Sequence, residues 1–211
     1  MTTGRVAATS APSPRRRPQY AGLIERRAGH GTALLIIDMI SSWDFPDADR
    51  LLGPASRIAP RIATLKRRCA AENIPAIYAN DNRGHWRSDF KSVVRQSLDD
   101  PSIGSGITRQ LAPAEEDYFV LKPKHSAFFA TPLELLLDHL RAHRLLVTGV
   151  TSDQCIAATV ADARMRDFEV VVPSDCVATL TPARNRRALQ ALRDSLVTAT
   201  PLAHGLRLRG G

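Results

Sequence analysis

The sequence is poor in cysteine and in aromatic residues, and it has no long apolar run. Its three cysteines among 211 residues form no Cys-x-x-Cys pair, which argues against a disulfide framework and against a cysteine zinc site. The longest apolar runs, such as residues 33–37, fall far short of the roughly 20 residues that a membrane span needs. No apolar segment follows the N-terminus as in a secretory signal. These absences exclude a membrane protein, argue against a secreted one and favour a reducing, cytoplasmic setting.

The residues that are present indicate a folded domain with a basic extension. Hydrophobic residues make up 44% of the chain and charged residues 24%, as in globular proteins. Of the net charge of +8, residues 1–29 carry +5, from six arginines and one glutamate. The body therefore has no basic stripe of the kind that binds phosphates, and we expect no nucleic-acid partner. We interpret residues 1–29 as a flexible extension and residues 30–211 as a single domain.

Apolar segments of strand length alternate with segments of helical periodicity from residue 32 onward. Strands that are apolar on both faces and alternate with helices are typical of a parallel sheet covered on both sides. We therefore predict a three-layer (αβα), Rossmann-like, doubly wound α/β fold with a mostly parallel sheet of about six strands. The predicted strands are residues 33–38, 74–79, 118–121, 145–149, 168–173 and a short sixth at 196–202. The predicted helices are 54–72, 90–98, 131–143, 153–166 and 181–195, with 101–117 mostly loop.

Three chemically different side chains follow the carboxyl ends of predicted strands, where parallel sheets bind ligands. Asp38 ends the first strand, Lys122 the third, and Cys155 lies in the first turn of the helix after the fourth. Together they supply a general base, a cation and a nucleophile. A helix N-terminus and a nearby lysine both lower the pKa of a thiol, so we expect a lowered pKa for Cys155.

Simpler interpretations exist for these and neighbouring residues. Cys155 alone would fit a buried cysteine at a helix start, and Lys124 competes with Lys122 for the cationic role, although Lys122 directly ends the strand. His125 is interpreted as a wall residue rather than a base. Cys69, on the apolar face of a predicted helix, and Cys176, in a turn, are interpreted as structural.

Three segments resemble the isochorismatase-like superfamily of cysteine hydrolases. They are IIDM around Asp38, VLKPKHSAF around Lys122, and VTGVTSDQC ending at Cys155. The resemblance covers about residues 32–200, and the three motifs agree in order and spacing. It implies that Asp38, Lys122 and Cys155 form a catalytic triad. The implied reaction is hydrolysis of an amide, ureido or carbamoyl C–N bond through an acyl-enzyme on the cysteine.

The same resemblance carries further implications for the site. It implies a cis peptide bond between Val150 and Thr151, with the N–H groups of Thr151 and Cys155 forming an oxyanion hole. It also implies a homo-oligomer, a dimer or a tetramer, that needs no cofactor. Nicotinamidases of the superfamily carry an Asp-x-His metal pair after the second strand. Here Asp81 and His85 are a poor ligand set for zinc, so we expect no metal.

The substrate is expected to be a small molecule. The candidate binding residues are Asn82, Trp86, Phe128 and Gln154. Two other functions remain open at this point. One is an isochorismatase-type vinyl ether hydrolase that does not need the thiol, and the other is a non-catalytic binding protein on the same fold.

Overall fold

The computed structural model describes residues 31–81, 89–99 and 102–208 of the chain. The predicted basic extension, residues 1–29, lies outside these ranges. Within them, no helix is both long enough and apolar enough to cross a membrane.

Six strands form one sheet, and every strand pair that the described residues make is parallel. The strands are β1 (Thr32–Ile37), β2 (Ala76–Asp81), β3 (Tyr118–Lys122), β4 (Arg144–Val150), β5 (Glu169–Val171) and β6 (Val177–Ala178). Their order is β3-β2-β1-β4-β5, and β6 pairs with the end of β4. All six residues of the central strand β1 are buried, because helices cover both of its faces.

Helices pack on both faces of the sheet and give it three layers. They are α1 (Ala48–Ala71), α2 (Phe90–Asp99), α3 (Ile103–Gln110), α4 (Leu133–His139), α5 (Ala157–Met165) and α6 (Pro182–Leu196). Leu34 and Ile36 of β1 face a core with α1, α2 and α3. Leu35 and Ile37, which point the other way because side chains alternate along a strand, face a core with α4, α5 and α6. The predicted three-layer α/β fold is thus confirmed.

Several predicted element boundaries were wrong. Residues 101–117, predicted as mostly loop, contain α3, whose first turn is capped by the Ser102 side chain accepting from the Gly104 N–H at 3.0 Å. The predicted sixth strand at 196–202 makes only one isolated bridge, between Ala199 and Val171. The sixth strand is instead β6, and its two residues are too few to show any periodicity. Helix α1 begins at residue 48, before Pro54, which therefore did not mark its start.

Candidate active site

Asp38, Lys122 and Cys155 meet at the carboxyl edge of the sheet, as the order of the strands requires. Asp38 follows β1, and its φ of +53° turns the chain away from the strand, a conformation that aspartate tolerates better than most residues. Lys122 is the last residue of β3, and its side chain reaches past the end of β2. Its Nζ lies 2.8 Å from Asp38 Oδ2 and 3.5 Å from Cys155 Sγ. The three predicted reactive groups therefore form one contiguous cluster.

Hydrogen bonds from the neighbouring strand fix the Asp38 carboxylate. The Asp38 N–H donates to the Ala79 carbonyl at 3.0 Å, and the Asp81 N–H donates to Asp38 Oδ1 at 2.9 Å. Because Oδ2 is held by Lys122, both carboxylate oxygens have a partner. Lys122 is completely buried, and its ammonium also donates to the Lys124 carbonyl at 3.3 Å. The carboxylate is thus oriented before any substrate arrives.

The Cys155 thiol is less acidic than an ordinary thiol, which contradicts the expectation from sequence. Burial and the charge of Asp38 raise its pKa to about 12, and the opposing effect of Lys122 is smaller. The sequence predicted a cation near the thiol, but it could not predict the burial, whose effect on the pKa is larger. Consequently the thiol carries its proton at neutral pH and must lose it during any attack. Its side chain is hydrogen-bonded to Asp38, a carboxylate that could take that proton.

Lys122 remains a cation in spite of its burial. Burial by itself lowers the pKa of the ammonium, but Asp38 and Cys155 beside it favour the charged form, and the net effect is a raised pKa. A buried charge persists when it is paired and hydrogen-bonded, as this one is.

Cys155 lies in a π-helical turn, Ser152–Ile156. The prediction that it lies in the first turn of a regular α-helix was wrong, because α5 begins only at Ala157. The peptide bond between Val150 and Thr151 is cis, at the position that the resemblance implies. The Thr151 carbonyl accepts from the N–H groups of Gln154 at 3.2 Å and Ile156 at 3.1 Å. π-helical turns of this kind occur frequently at functional sites.

A carboxylate anchors this turn to the rest of the domain. Asp153 Oδ1 accepts from the Thr179 hydroxyl at 2.6 Å, and Oδ2 accepts from the Arg184 guanidinium, with its Nε at 2.8 Å. Burial alone would raise the pKa of Asp153, but the Thr179 and Arg184 hydrogen bonds lower it below its usual value. The turn that carries Cys155 is therefore bound to α6.

A cavity of about 480 Å³ opens beside the thiol. Its size is within the range of small-molecule sites. Side chains from the loop after β1, the end of β2, the segment after β3 and the turn after β4 line it. Besides Asp38, Asp81 and Cys155, the lining residues are Ile40, Ser41, Asp44, Phe45, Pro46, Leu51, Asn80, His125, Val150, Thr151 and Gln154.

The predicted substrate-binding residues fall in different places. Gln154 lines the cavity. Phe128 is instead buried in the core beneath α4 and α5, with its ring 5.8 Å from that of Phe168. Asn82 and Trp86 lie outside the described residues, as does His85 of the metal pair considered above. In the part of the chain that is described, no group of three His, Cys, Asp or Glu side chains could hold a metal ion.

His125, which was interpreted from the sequence as a wall residue, and Asn80 both line the cavity. His125 forms part of the wall, and its Nδ1 lies 3.6 Å from Cys155 Sγ. Its position three residues after Lys122 was the available signal. Asn80 is buried at the end of β2 with its amide against the loop after β1. It was not predicted as a binding residue, because the sequence does not give the orientation of its side chain.

Known proteins are similar to this chain over most of its length. The family model for the isochorismatase domain matches residues 32–204. The isochorismatase family protein YaaI of Bacillus subtilis is 35% identical over 164 residues, which are 78% of this chain and 90% of that protein. N-carbamoylsarcosine amidase of an Arthrobacter species is 27% identical over 75% of this chain and 64% of its own length. Among solved structures, an isochorismatase family protein from Desulfovibrio vulgaris superposes with a TM-score of 0.63 and 26% identity, covering 81% of this chain and 94% of that one.

Proposed function

This chain belongs to the isochorismatase family, and from that premise we propose that it hydrolyses the C–N bond of a small amide, ureido or carbamoyl compound, with Cys155 as the nucleophile. The observation that carries the proposal is the contact of Lys122 with both Asp38 and Cys155, two residues that line one cavity. The similarity to N-carbamoylsarcosine amidase supports the choice of a C–N bond.

The first half of the reaction forms a thioester. Cys155 Sγ attacks the substrate carbonyl carbon while Asp38 takes the thiol proton, which gives a tetrahedral oxyanion. The oxyanion collapses, the C–N bond breaks, and Asp38 returns the proton to the departing nitrogen, so that ammonia or an amine leaves. Lys122 stabilises the sulfur as its charge develops and holds Asp38 in place. The raised pKa of the thiol fits this order of events, because the proton moves during the attack.

The second half releases the acid. Water attacks the thioester carbonyl and gives its proton to Asp38. The C–S bond then breaks, and the sulfur recovers the proton, which restores the resting thiol. The N–H groups of Thr151 and Cys155 are proposed to hold the oxyanion in both halves, and each such donor is worth roughly 3–4 kcal/mol in other hydrolases.

The test compares two cysteine variants on a panel of primary amides, ureas and N-carbamoyl amino acids, N-carbamoylsarcosine included, with release of ammonia or amine as the readout. We expect Cys155→Ala to lose turnover by about 10⁴-fold or more. The matched control is Cys69→Ala, because that thiol is completely buried in α1, away from the cavity. It should retain wild-type turnover.

Three outcomes would contradict the proposal. Turnover of an amide by Cys155→Ala would eliminate the thiol as nucleophile. Hydrolysis of isochorismate by both the wild type and Cys155→Ala, with no amide cleaved, would favour a vinyl ether hydrolase. Binding of panel members with no turnover of any would favour a non-catalytic protein.

A further inference from the structure

Two side-chain oxygens in the wall of the cavity lack a hydrogen-bond partner. Asn80 Oδ1 and Thr151 Oγ1 are both buried, and the described residues offer neither of them a partner. Both residues line the cavity that holds Cys155. Folded proteins satisfy the great majority of their buried polar atoms, so an exception requires an explanation. At a cavity wall, the simplest explanation is that a bound molecule supplies the missing partner.

Asn80 is the more informative of the two, because its orientation is fixed. Its Nδ2 donates to the Ile40 carbonyl at 2.7 Å. A carbonyl only accepts, so the NH₂ end must face Ile40 and Oδ1 must face elsewhere. The side chain is only 1% exposed and is closely surrounded. The Thr151 hydroxyl can both donate and accept, so the kind of partner it lacks is open. Asn80 Oδ1 can only accept, so the partner that Asn80 lacks is a hydrogen-bond donor.

The position of Asn80 connects it to the reacting groups. The next residue, Asp81, donates its N–H to Asp38 Oδ1 and pairs with Lys122 in the sheet. Asn80 therefore lies on the strand that separates Asp38 from Lys122, at the same edge of the sheet. A small substrate whose carbonyl is presented to Cys155 has its other groups in this cavity.

We propose that Asn80 Oδ1 accepts a hydrogen bond from an N–H group of the substrate, and that the site thereby selects primary amides and ureido compounds over esters and N,N-dialkyl amides. This inference rests on the proposed function, since it places the substrate in the cavity of Cys155. An ester presents an oxygen or a methyl group where the amide presents N–H. It would leave Oδ1 unpaired, and sites built to hydrogen-bond a substrate group reject analogues that lack it.

The experiment uses two thiol reagents that differ in this donor. Iodoacetamide carries an NH₂ group, whereas methyl iodoacetate has an ester in its place, and both alkylate sulfur with loss of iodide. Rate constants for Cys155 are measured by peptide mass spectrometry and divided by those for glutathione. We expect the normalised preference for iodoacetamide to be about 10-fold or more in the wild type. In Asn80→Ala it should fall to near 1, with only the iodoacetamide rate reduced.

A matched variant separates recognition from packing. Thr32 Oγ1 is also buried without a partner, but Thr32 begins β1, at the opposite edge of the sheet. Thr32→Val should therefore keep the wild-type preference. If Asn80→Ala slows both reagents equally, Asn80 has only a structural role and the proposal is overturned. A wild-type preference near 1 overturns it as well.

The labelling ratio does not depend on turnover, so the two proposals fail separately. Hydrolysis that persists in Cys155→Ala would remove the proposed function, while the ratio would still report on Asn80. Hydrolysis that requires Cys155, together with a ratio that Asn80→Ala leaves unchanged, would remove only the selectivity inference.

Discussion

The side chains of Lys122 and Asp38 are buried to different extents. Lys122 is completely buried, whereas Asp38 is 18% exposed through the cavity. A buried charge that loses its partner has no water to replace it, while a charge at a cavity wall retains some solvation. The ion pair should therefore respond differently according to which member is removed.

We expect Asp38→Asn to destabilise the fold by about 3 kcal/mol, because it leaves the Lys122 ammonium buried without a counter-charge. Lys122→Met should cost less, since methionine fills a similar volume and Asp38 can be hydrated from the cavity. Urea unfolding of both variants at pH 7 measures the difference in the free energy of unfolding.

The double variant Asp38→Asn/Lys122→Met is the internal control. It removes both charges, so it should be more stable than Asp38→Asn alone even though it carries an additional substitution. If the two single variants cost the same and their effects add in the double variant, the pair contributes no coupling energy and this account of the buried lysine is wrong.

The positions of Asp38, Lys122 and Cys155 could be predicted at this scale, but the pKa of the thiol could not. Asp38 and Cys155 follow β1 and β4, and Lys122 is the last residue of β3; strand ends can be recognised from apolar runs. The pKa of the thiol depends on how closely the surrounding loops cover it, and no pattern in the sequence reports that. The location of Phe128 could not be predicted for the same reason: it was a plausible pocket residue by sequence, but it lies in the core.

At the scale of elements, the approach of β4 to β1 is what brings the turn with Cys155 beside Asp38. Gly149, near the end of β4, has a φ of +113°, a conformation that is rarely open to other residues. A Cβ added there would lie 2.0 Å from the Ile37 carbonyl oxygen of β1. Backbone atoms cannot move aside as a side chain can, so the glycine is required by contact as well as by conformation.

Gly149→Ala should therefore push the two strands apart next to Asp38, destabilising the fold by about 3 kcal/mol or more and abolishing turnover. The matched control is Gly106→Ala in α3, where an added Cβ meets nothing within 4 Å. Alanine should stabilise that helix by roughly 0.5–1 kcal/mol. Thermal unfolding of both variants tests the pair, and a Gly149→Ala protein as stable as Gly106→Ala would contradict the role of the close approach.

Elements with a strong local pattern were predictable, whereas those without one were not. Strand β1 and helix α6 were recognised because an apolar run and a capping Thr181 with Pro182 mark them clearly. Strand β6 has two residues and exists only because β4 is there to pair with it. The π-helical turn at Ser152–Ile156 likewise has no local signature and was predicted as ordinary helix.

At the scale of the whole molecule, the two other cysteines lie in the same core, on one face of the sheet. Cys69 and Cys176 are both completely buried there, and burial raises the pKa of each thiol to about 12 from a reference value of 9.0. The folded protein therefore holds these protons more tightly than the unfolded chain does. Their contribution to stability is complete below pH 9 and is lost progressively as the pH rises toward 12.

This sign gives a prediction for alkaline stability. Between pH 8 and pH 10 the unfolded thiols ionise and the folded ones do not, which should cost about 1 kcal/mol of unfolding free energy for each buried cysteine. The double variant Cys69→Ala/Cys176→Ala lacks both ionisations. At pH 8 it should be less stable than the wild type, because two small cavities remain. On going to pH 10, its free energy of unfolding should fall by about 2 kcal/mol less than that of the wild type. Urea unfolding midpoints at the two pH values, with equal m-values, measure that difference. Parallel losses in the two proteins would show that the buried thiols do not control the alkaline limit, and the buried Tyr78, whose pKa is also raised by burial, would be the next residue to substitute.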